Sequence, residues 1–276
     1  MANVALVLEY VGTGYSGYQV QAAGGPTVQG TVEDAIARLT GERVRITGAG
    51  RTDAGVHALG QVVSLKTLST IPPERFAAAL NTKLPYDIRA IGSFAVHDAF
   101  NARFDAVGKT YRYLAAAPLG ADSAPGQSAA GSGQALLKGR ALLLDRRFSD
   151  DEIDAMQRAA VPLVGRHDFA AYAATGSSAR TTVRTVRRIE VRRECWPALG
   201  QELAVFEIEA DGFLYKMVRT IVATLLEVGW GRCGCERPGE LLAGRDRGQG
   251  PATAPPDGLY LVRVDYPAPY TELARP

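Results

Sequence analysis

The chain has 276 residues, a formal net charge of +2 and 46% hydrophobic residues, which is ample apolar content for one large or two ordinary domains. Its three cysteines lack a Cys-x-x-Cys spacing, which excludes a disulfide framework and favours a reducing compartment. No basic segment precedes an apolar one at the start, and no apolar run reaches about 18 residues, so we expect a cytoplasmic protein that does not contact a membrane.

The first half of the chain predicts strands and helices in the order β-α-β-β-α-β. Apolar runs predict strands at 4–10, 43–47, 61–66 and 87–94. Apolar residues at helical spacing predict helices at 27–39 and 72–80, the second of which begins at two prolines. This order is the split βαβ plan of ferredoxin-like domains.

The second half predicts a similar plan. Strands are expected at 109–116, 183–191, 203–209 and 259–266, and helices at 149–160, 213–228 and 236–242. Ser149 and Glu152 form the sequence signature of a capping box at the first of these helices. Residues 118–134 are mostly Ala, Gly, Ser and Pro, and this low-complexity composition predicts a surface loop.

The sequence therefore predicts an α+β fold built from two ferredoxin-like (split βαβ) units, residues 1–105 and 106–276. We expect their mainly antiparallel sheets to join edge to edge around a central cleft. The catalytic candidates described next lie in both halves.

The strongest local signal is the run from Gly48 to Ala58, which places Arg-Thr-Asp among three glycines between two predicted strands. Glycines allow positive φ angles and close backbone approach. In an extended segment Arg51 and Asp53, two positions apart, project to the same side. This pattern predicts a site on a loop. The alternative is a tight turn in which Asp53 bonds its own backbone.

This run resembles the signature of the tRNA pseudouridine synthase A family, and further segments are similar to motifs of the same family. They are Tyr15-Ser-Gly-Tyr18-Gln, Phe100-Asn-Ala-Arg103-Phe, Thr110-Tyr-Arg-Tyr113 and Phe213-Leu-Tyr-Lys-Met217-Val-Arg219. The resemblance covers nearly the whole chain. The low-complexity loop departs from it, because the family tends to keep aromatic residues there.

The resemblance implies an isomerase that converts uridine to pseudouridine in the anticodon stem-loop of tRNA, at positions 38–40 of the tRNA. It also implies a homodimer that uses no metal and no other cofactor. The site residues it implies are Asp53 as the catalytic nucleophile, Tyr111 stacked on the uracil, and Arg51 holding the target nucleotide out of its stack. Arg219 would pair with Asp53 across the two halves and keep its carboxyl ionised.

Each of these residues also has a plainer interpretation. Tyr111 could fill the core of a strand, and Tyr113 points the same way along that strand. Arg219 lies in an apolar helix and could extend its charge to water, while Arg51 could serve only as a partner of Asp53. Leu214 and Leu259 are candidates for pocket walls or for ordinary core packing.

Two arginine-rich segments are candidates for RNA phosphate contacts and otherwise are solvated faces. Their arginines are Arg180, Arg184, Arg187, Arg188, Arg192 and Arg193 in the first, and Arg232, Arg237, Arg245 and Arg247 in the second. Two other functions stay open from the residues alone. One is a non-catalytic RNA-binding protein made of two ferredoxin-like units, and the other is a metal-dependent nuclease that uses Asp53.

Overall fold

The structure is a computed structural model that describes residues 1–21, 24–119, 134–176 and 179–274. The predicted loop 118–134 therefore lies almost entirely outside the described residues. The strands are β1 Ala2–Tyr10, β2 Thr47–Gly48, β3 His57–Thr67, β4 Ile88–Val96, β5 Gly108–Pro118, β6 Leu142–Leu143, β7 Gly165–Asp168, β8 Val183–Trp196, β9 Gln201–Ala210 and β10 Leu259–Asp265. The α-helices are α1 Val28–Thr40, α2 Pro73–Leu80, α3 Gln134–Leu137, α4 Asp150–Ala160, α5 Met217–Gly229 and α6 Arg237–Gly244.

The chain folds into two compact units. The first contains Met1–Lys109 together with the residues from Tyr260 onward, and the second contains Thr110–Leu259. Each combines helices with a mainly antiparallel sheet, which confirms the predicted α+β class. The predicted division after residue 105, the joining of the sheets and the cleft stay predictions. In the described ranges, no helix is long and apolar enough to cross a membrane.

The sheet of the first unit is built around β1 and β3. Strand β1 pairs antiparallel with β4 on one side and with β3 on the other. Strand β2 pairs antiparallel with β3 at Thr47 and Ser64, and β10 runs parallel to β3 from Tyr260 and His57. Strand β3 thus separates β1 from β2, the two strands that α1 joins.

Helix α1 lies where the sequence predicts it. The Thr27 side chain caps its N-terminus by accepting a hydrogen bond from the Gly30 amide, and Gly41 ends it with φ of 78°. Its buried residues include Val28, Val32 and Ile36.

The predicted strand 43–47 is wrong except at its end, because only Thr47 and Gly48 form β2. The backbone of Ile46 is bonded to side chains of α1 instead of to a strand. Its amide donates to Glu33 Oε1 at 3.0 Å, and its carbonyl accepts from Gln29 Nε2 at 3.3 Å. These bonds satisfy the backbone that a longer β2 would have paired with β3.

The second unit has the strand order β5-β9-β8-β7, with β6 beside β5. Strands β8 and β9 form its longest antiparallel pair, from Val186–Ala210 to Trp196–Gln201. The capping box of Ser149 and Glu152 at the start of α4 is confirmed. Helix α4 contacts both α5 and β8, so the helices cover one face of the sheet.

Helix α5 begins at Met217 and not at 213 as the periodicity predicts. Lys216 precedes it with φ of 59°, a left-handed conformation that an α-helix cannot contain. The Tyr215 carbonyl accepts a hydrogen bond from the Ala174 amide, so this stretch is held by the chain beside it.

Candidate active site

The loop between β2 and β3 carries Arg51 and Asp53 on the first unit. Thr52, between them, is buried, whereas Arg51 is exposed and Asp53 is half-buried. This alternation is what an extended segment gives, with one side chain turned inward and its two neighbours turned outward. The sequence therefore predicts correctly that Arg51 and Asp53 lie on a loop between two strands.

Buried Thr52 is the anchor of this loop. Its hydroxyl lies 2.8 Å from the Tyr10 hydroxyl at the end of β1, and its carbonyl accepts a hydrogen bond from the Tyr18 amide at 3.0 Å. Gly17 has φ of 93°, and a Cβ there would lie 3.1 Å from the Thr52 carbonyl oxygen. The glycine thus allows the 15–18 segment to approach the loop closely.

Gln61 on β3 holds the loop on its other side. The side chain is fully buried, and its amide nitrogen donates to the Gly50 carbonyl at 2.7 Å. Its amide oxygen accepts from the Gly50 amide at 3.4 Å. One carboxamide therefore satisfies both backbone groups of the residue that precedes Arg51.

The loop also contains a backbone turn at Asp53. The Val56 amide donates to the Asp53 carbonyl at 3.1 Å, and Gly55 has φ of 81°. The turn is closed by the backbone carbonyl of Asp53. The backbone of residue 53 therefore forms a turn, while its side chain is half-buried.

His57 fixes the exit of the loop. Its ring is buried and stacks on Tyr260 with 4.5 Å between the ring centroids and 22° between the planes. The Gly12 amide donates to His57 Nδ1 at 3.1 Å, so Nδ1 carries no proton. A Cβ on Gly12 would lie 2.0 Å from the Val56 carbonyl oxygen, so only glycine fits there.

On the second unit, Tyr111 lies on β5 and is buried. Its ring forms a T-shaped contact with the Phe213 ring, with 5.1 Å between the centroids. Tyr113, two residues further on, is fully buried, and its hydroxyl donates to the Pro255 carbonyl at 3.0 Å. Burial raises the pKa of Tyr113 above its ordinary value, although the positive charge of Arg219 opposes this. Tyr113 is therefore a core residue of this unit.

Arg219 is buried on the first turn of α5, so the alternative interpretation of a side chain that extends to water is wrong. Its Nε donates to the Ala254 carbonyl at 2.7 Å, and the Ala254 amide donates to the Arg219 carbonyl at 3.2 Å. The guanidinium thereby ties α5 to the proline-rich segment that leads into β10. Leu214 and Leu259 are buried as well.

Most arginines of the first predicted phosphate cluster are engaged within the second unit. Arg188 and Arg192 on β8 lie 2.7 Å from Glu190 and Glu194 respectively, on the open face of the sheet. Glu207 on β9 accepts from Arg188 at 2.5 Å and from Arg112 at 2.8 Å. Cations and carboxylates alternate on this face, and their charges largely cancel.

The remaining clustered arginines are mostly engaged as well. Arg193 binds Asp150 and Glu202, Arg232 binds Glu227, Arg245 binds Asp168, and Arg184 donates to backbone carbonyls. Binding of RNA phosphates by these two clusters stays a prediction. In the ranges that the structure describes, no group of three or more His, Cys, Asp or Glu side chains could hold a metal ion.

Sequence reasoning missed the residues that hold the loop, namely Tyr10, Gly12, Thr52, His57 and Gln61. One signal was present, because Gln61 is a polar residue at the start of an otherwise apolar strand. The sequence predicts Tyr111 on a strand and Arg219 on a helix, and these residues lie on β5 and α5.

Comparisons with known proteins agree with the motifs. A family model described as tRNA pseudouridine synthase matches residues 6–105 and 159–267, a range that includes Arg51, Asp53 and Arg219, with Tyr111 between its two parts. The tRNA pseudouridine synthase A of Acetivibrio thermocellus is 44% identical over 266 residues, which are 96% of this chain and 100% of that protein. Its counterpart from Syntrophomonas wolfei is 43% identical, over 97% of this chain and 98% of that protein. The protein of the same name from Neisseria gonorrhoeae is 40% identical, over 96% and 92%.

Proposed function

Since the chain belongs to the tRNA pseudouridine synthase family, we propose how its residues carry out the reaction of that family. The protein is an isomerase that converts uridine in tRNA to pseudouridine. We assign its target to the anticodon stem-loop, at positions 38–40 of the tRNA. The observation that carries the assignment of residues is the loop in which buried Thr52 turns Arg51 and Asp53 outward.

The reaction rearranges bonds within one nucleotide. The bond from uracil N1 to ribose C1′ breaks, the base rotates, and C5 bonds to C1′. C5 loses a proton and N1 gains one, so nothing is oxidised or reduced and no second substrate is consumed. We assign the Asp53 carboxylate as the nucleophile that acts on the sugar. Its backbone is fixed on both sides by Thr52 and Val56, which favours a constant position of the carboxylate.

The detached uracil has to be retained and kept from bulk water. We assign this role to the ring of Tyr111, because stacking of a base on an aromatic ring contributes about 1–3 kcal/mol. That is comparable with the few kcal/mol that extrusion of a nucleotide costs. The edge contact with Phe213 fixes the plane of the ring. Arg51, exposed on the loop, would occupy the stack that the nucleotide leaves.

We assign Arg219 to the stabilisation of the ionised Asp53, as the resemblance implies. Its burial and its bond to Ala254 support a fixed guanidinium over a mobile surface charge. We further propose that both units are ferredoxin-like and that the enzyme acts in the cytoplasm as a homodimer. The arrangement of β1, β3 and β2 supports a ferredoxin-like plan for the first unit.

The test is an assay of unmodified tRNA transcript with purified protein, without added metal or nucleotide, followed by mapping of pseudouridine. We expect Asp53→Asn to lower the rate by at least about 10³-fold, because the nucleophile is lost while the shape is kept. Asp34→Asn, which changes an exposed acid on α1, is the matched control and should retain the wild-type rate. Undiminished pseudouridine formation by Asp53→Asn would show that the roles are assigned wrongly.

Tyr111→Phe separates stacking from proton transfer in the same assay. The phenyl ring keeps the stacking surface, so we expect most of the activity to remain. A loss as large as that of Asp53→Asn would assign the hydroxyl, and not the ring, to the reaction.

A further inference from the structure

A groove opens in the first unit where the chain from Glu42 to Thr47 bows away from β3. It is closed at one end by the β2–β3 pairing of Thr47 with Ser64. At the other end the Glu42 carboxylate accepts hydrogen bonds from the Thr67 hydroxyl and the Leu68 amide, both at 3.0 Å. Between these ties lies a cavity of about 600 Å³. We call it the 42–68 groove.

The lining of the 42–68 groove is basic. Arg43, Arg45 and Lys66 line it, and all three side chains are exposed. Arg45 lies 3.7 Å from Glu33, but among the described residues no carboxylate pairs with Arg43 or Lys66. Glu42 is the one acidic lining residue, and its oxygens already accept the bonds that close the groove.

This distribution differs from that of the arginine-rich strand β8. There each of Arg188, Arg192 and Arg193 has a carboxylate within 3.2 Å. An RNA phosphate would have to displace an existing partner from these arginines, whereas it can approach Arg43 and Lys66 without doing so. Cations without a competing carboxylate gain most from a phosphate and from the release of its counterions.

We propose that the 42–68 groove binds the phosphate backbone of the RNA substrate at a distance from the uridine that reacts. The inference rests on the proposed function, which supplies the RNA. Gln61 on β3 holds the loop that carries Asp53, and Lys66 lies five residues further along the same strand, which is about 17 Å at about 3.3 Å per residue. The Lys66 cation therefore lies beyond the residues that hold the loop and does not reach the reacting atoms. The opening is wide, and its charges suit a polyanion that lies across it better than a small enclosed ligand.

A contact this remote from the reacting atoms acts equally in the ground state and in the transition state. Its loss should therefore raise KM for tRNA and leave kcat unchanged. Because phosphates carry no sequence information, the effect should be similar for different tRNAs.

The test compares the double variant Arg43→Gln/Lys66→Gln with the wild type in tRNA binding across a range of salt concentrations. We expect Kd to rise about tenfold at low salt and the slope of log K against log salt to become shallower by about 2, one for each phosphate contact. The double variant Arg75→Gln/Lys83→Gln, which removes one exposed arginine and one exposed lysine elsewhere in the first unit, is the control of the same charge change. It should lose less affinity and slope than Arg43→Gln/Lys66→Gln, and the melting temperature should show that all variants are folded.

The outcomes separate this inference from the proposed function. Wild-type affinity and salt slope in a folded Arg43→Gln/Lys66→Gln variant would overturn the groove as an RNA site, whatever the activity. A lower kcat at unchanged Kd would overturn it as well. If the wild type made no pseudouridine while the double variant still lost affinity and slope, the groove would stand as an RNA site and the assigned reaction would fail.

Discussion

Asp53 is positioned by side chains that lie far from it in the sequence. Thr52, its neighbour, bonds the Tyr10 hydroxyl, and the Gly50 peptide is held from both sides by Gln61. The role of nucleophile that we propose for Asp53 requires a carboxylate held within a fraction of an ångström of its target, and the bonds that fix this loop suit that role. Substitutions of these supporting residues should alter both stability and activity.

Two tyrosines next to this loop should respond to loss of the hydroxyl with opposite signs. Tyr10 is buried, and its hydroxyl bonds Thr52, so Tyr10→Phe should lower the free energy of unfolding by about 1 kcal/mol. The buried Tyr18 hydroxyl has no hydrogen-bond partner among the described residues. Tyr18→Phe should therefore raise the free energy of unfolding by about 1 kcal/mol, since an unsatisfied polar group leaves the interior.

The measurement is urea denaturation of both variants beside the wild type. Each variant serves as the control for the other, because each removes one oxygen from a buried tyrosine of the same unit. Destabilisation by Tyr18→Phe as large as that by Tyr10→Phe would show that the Tyr18 hydroxyl is satisfied.

At the scale of elements, the β8–β9 pair is joined by charge as well as by its backbone ladder. Glu207 on β9 lies between Arg112 of β5 and Arg188 of β8. Burial raises the pKa of this carboxyl, but the hydrogen bond and charge of Arg112 and the charges of Arg192 and Arg188 outweigh it and leave the pKa below the ordinary 4.5. A lowered pKa stabilises the fold above pH 4.5, and that stability is lost as the pH falls through the folded-state value.

Glu207→Gln should therefore destabilise the protein at neutral pH and matter little in acid. We expect a loss of about 1–2 kcal/mol in the free energy of unfolding at pH 7, with the difference from wild type shrinking below about pH 4. Denaturation at a series of pH values measures it, and Glu74→Gln, an exposed acid on α2, is the control. A difference that stays constant from pH 7 to pH 3 would assign the effect to shape and not to charge.

At the scale of the whole molecule, the first unit is not a continuous piece of chain. Strand β10 pairs with β3, and Tyr266 just beyond it is buried against Phe100 with 5.4 Å between the ring centroids. The Tyr266 hydroxyl donates to the Ala102 carbonyl at 2.6 Å. The unit that carries Asp53 therefore depends on residues from the far end of the chain.

Tyr266→Ala should destabilise this unit strongly although it lies near the C-terminus. Removing a buried aromatic ring typically costs about 3–5 kcal/mol. Tyr270→Ala is the matched control, because Tyr270 also contacts Phe100 but is only half-buried, so its loss should be smaller. Thermal or chemical unfolding measures both, and an equal effect of the two variants would contradict the dependence on Tyr266.

The sequence predicted the elements whose signals are local. Helix α1 has its cap at Thr27 and its stop at Gly41, and α4 has the capping box of Ser149, because these signals lie within a few residues of the helix ends. The prediction from sequence failed where residues distant in the chain determine which backbone groups are bonded. Residues 43–46 alternate arginines with apolar residues as a strand does, but Glu33 and Gln29 of α1 take the backbone bonds of Ile46.

For the candidate site, the sequence by itself determined the family and supplied the residues that we propose for the reaction, because a short Gly-Arg-Thr-Asp loop and an Arg within an apolar helix can be read from neighbouring letters. Only the tertiary structure decided that Arg219 is buried, that Tyr113 belongs to the core, and that arginines of β8 form ion pairs with carboxylates. The physical reason is that burial and ion pairing are set by side chains brought together from distant parts of the chain, and no local pattern records which of them meet.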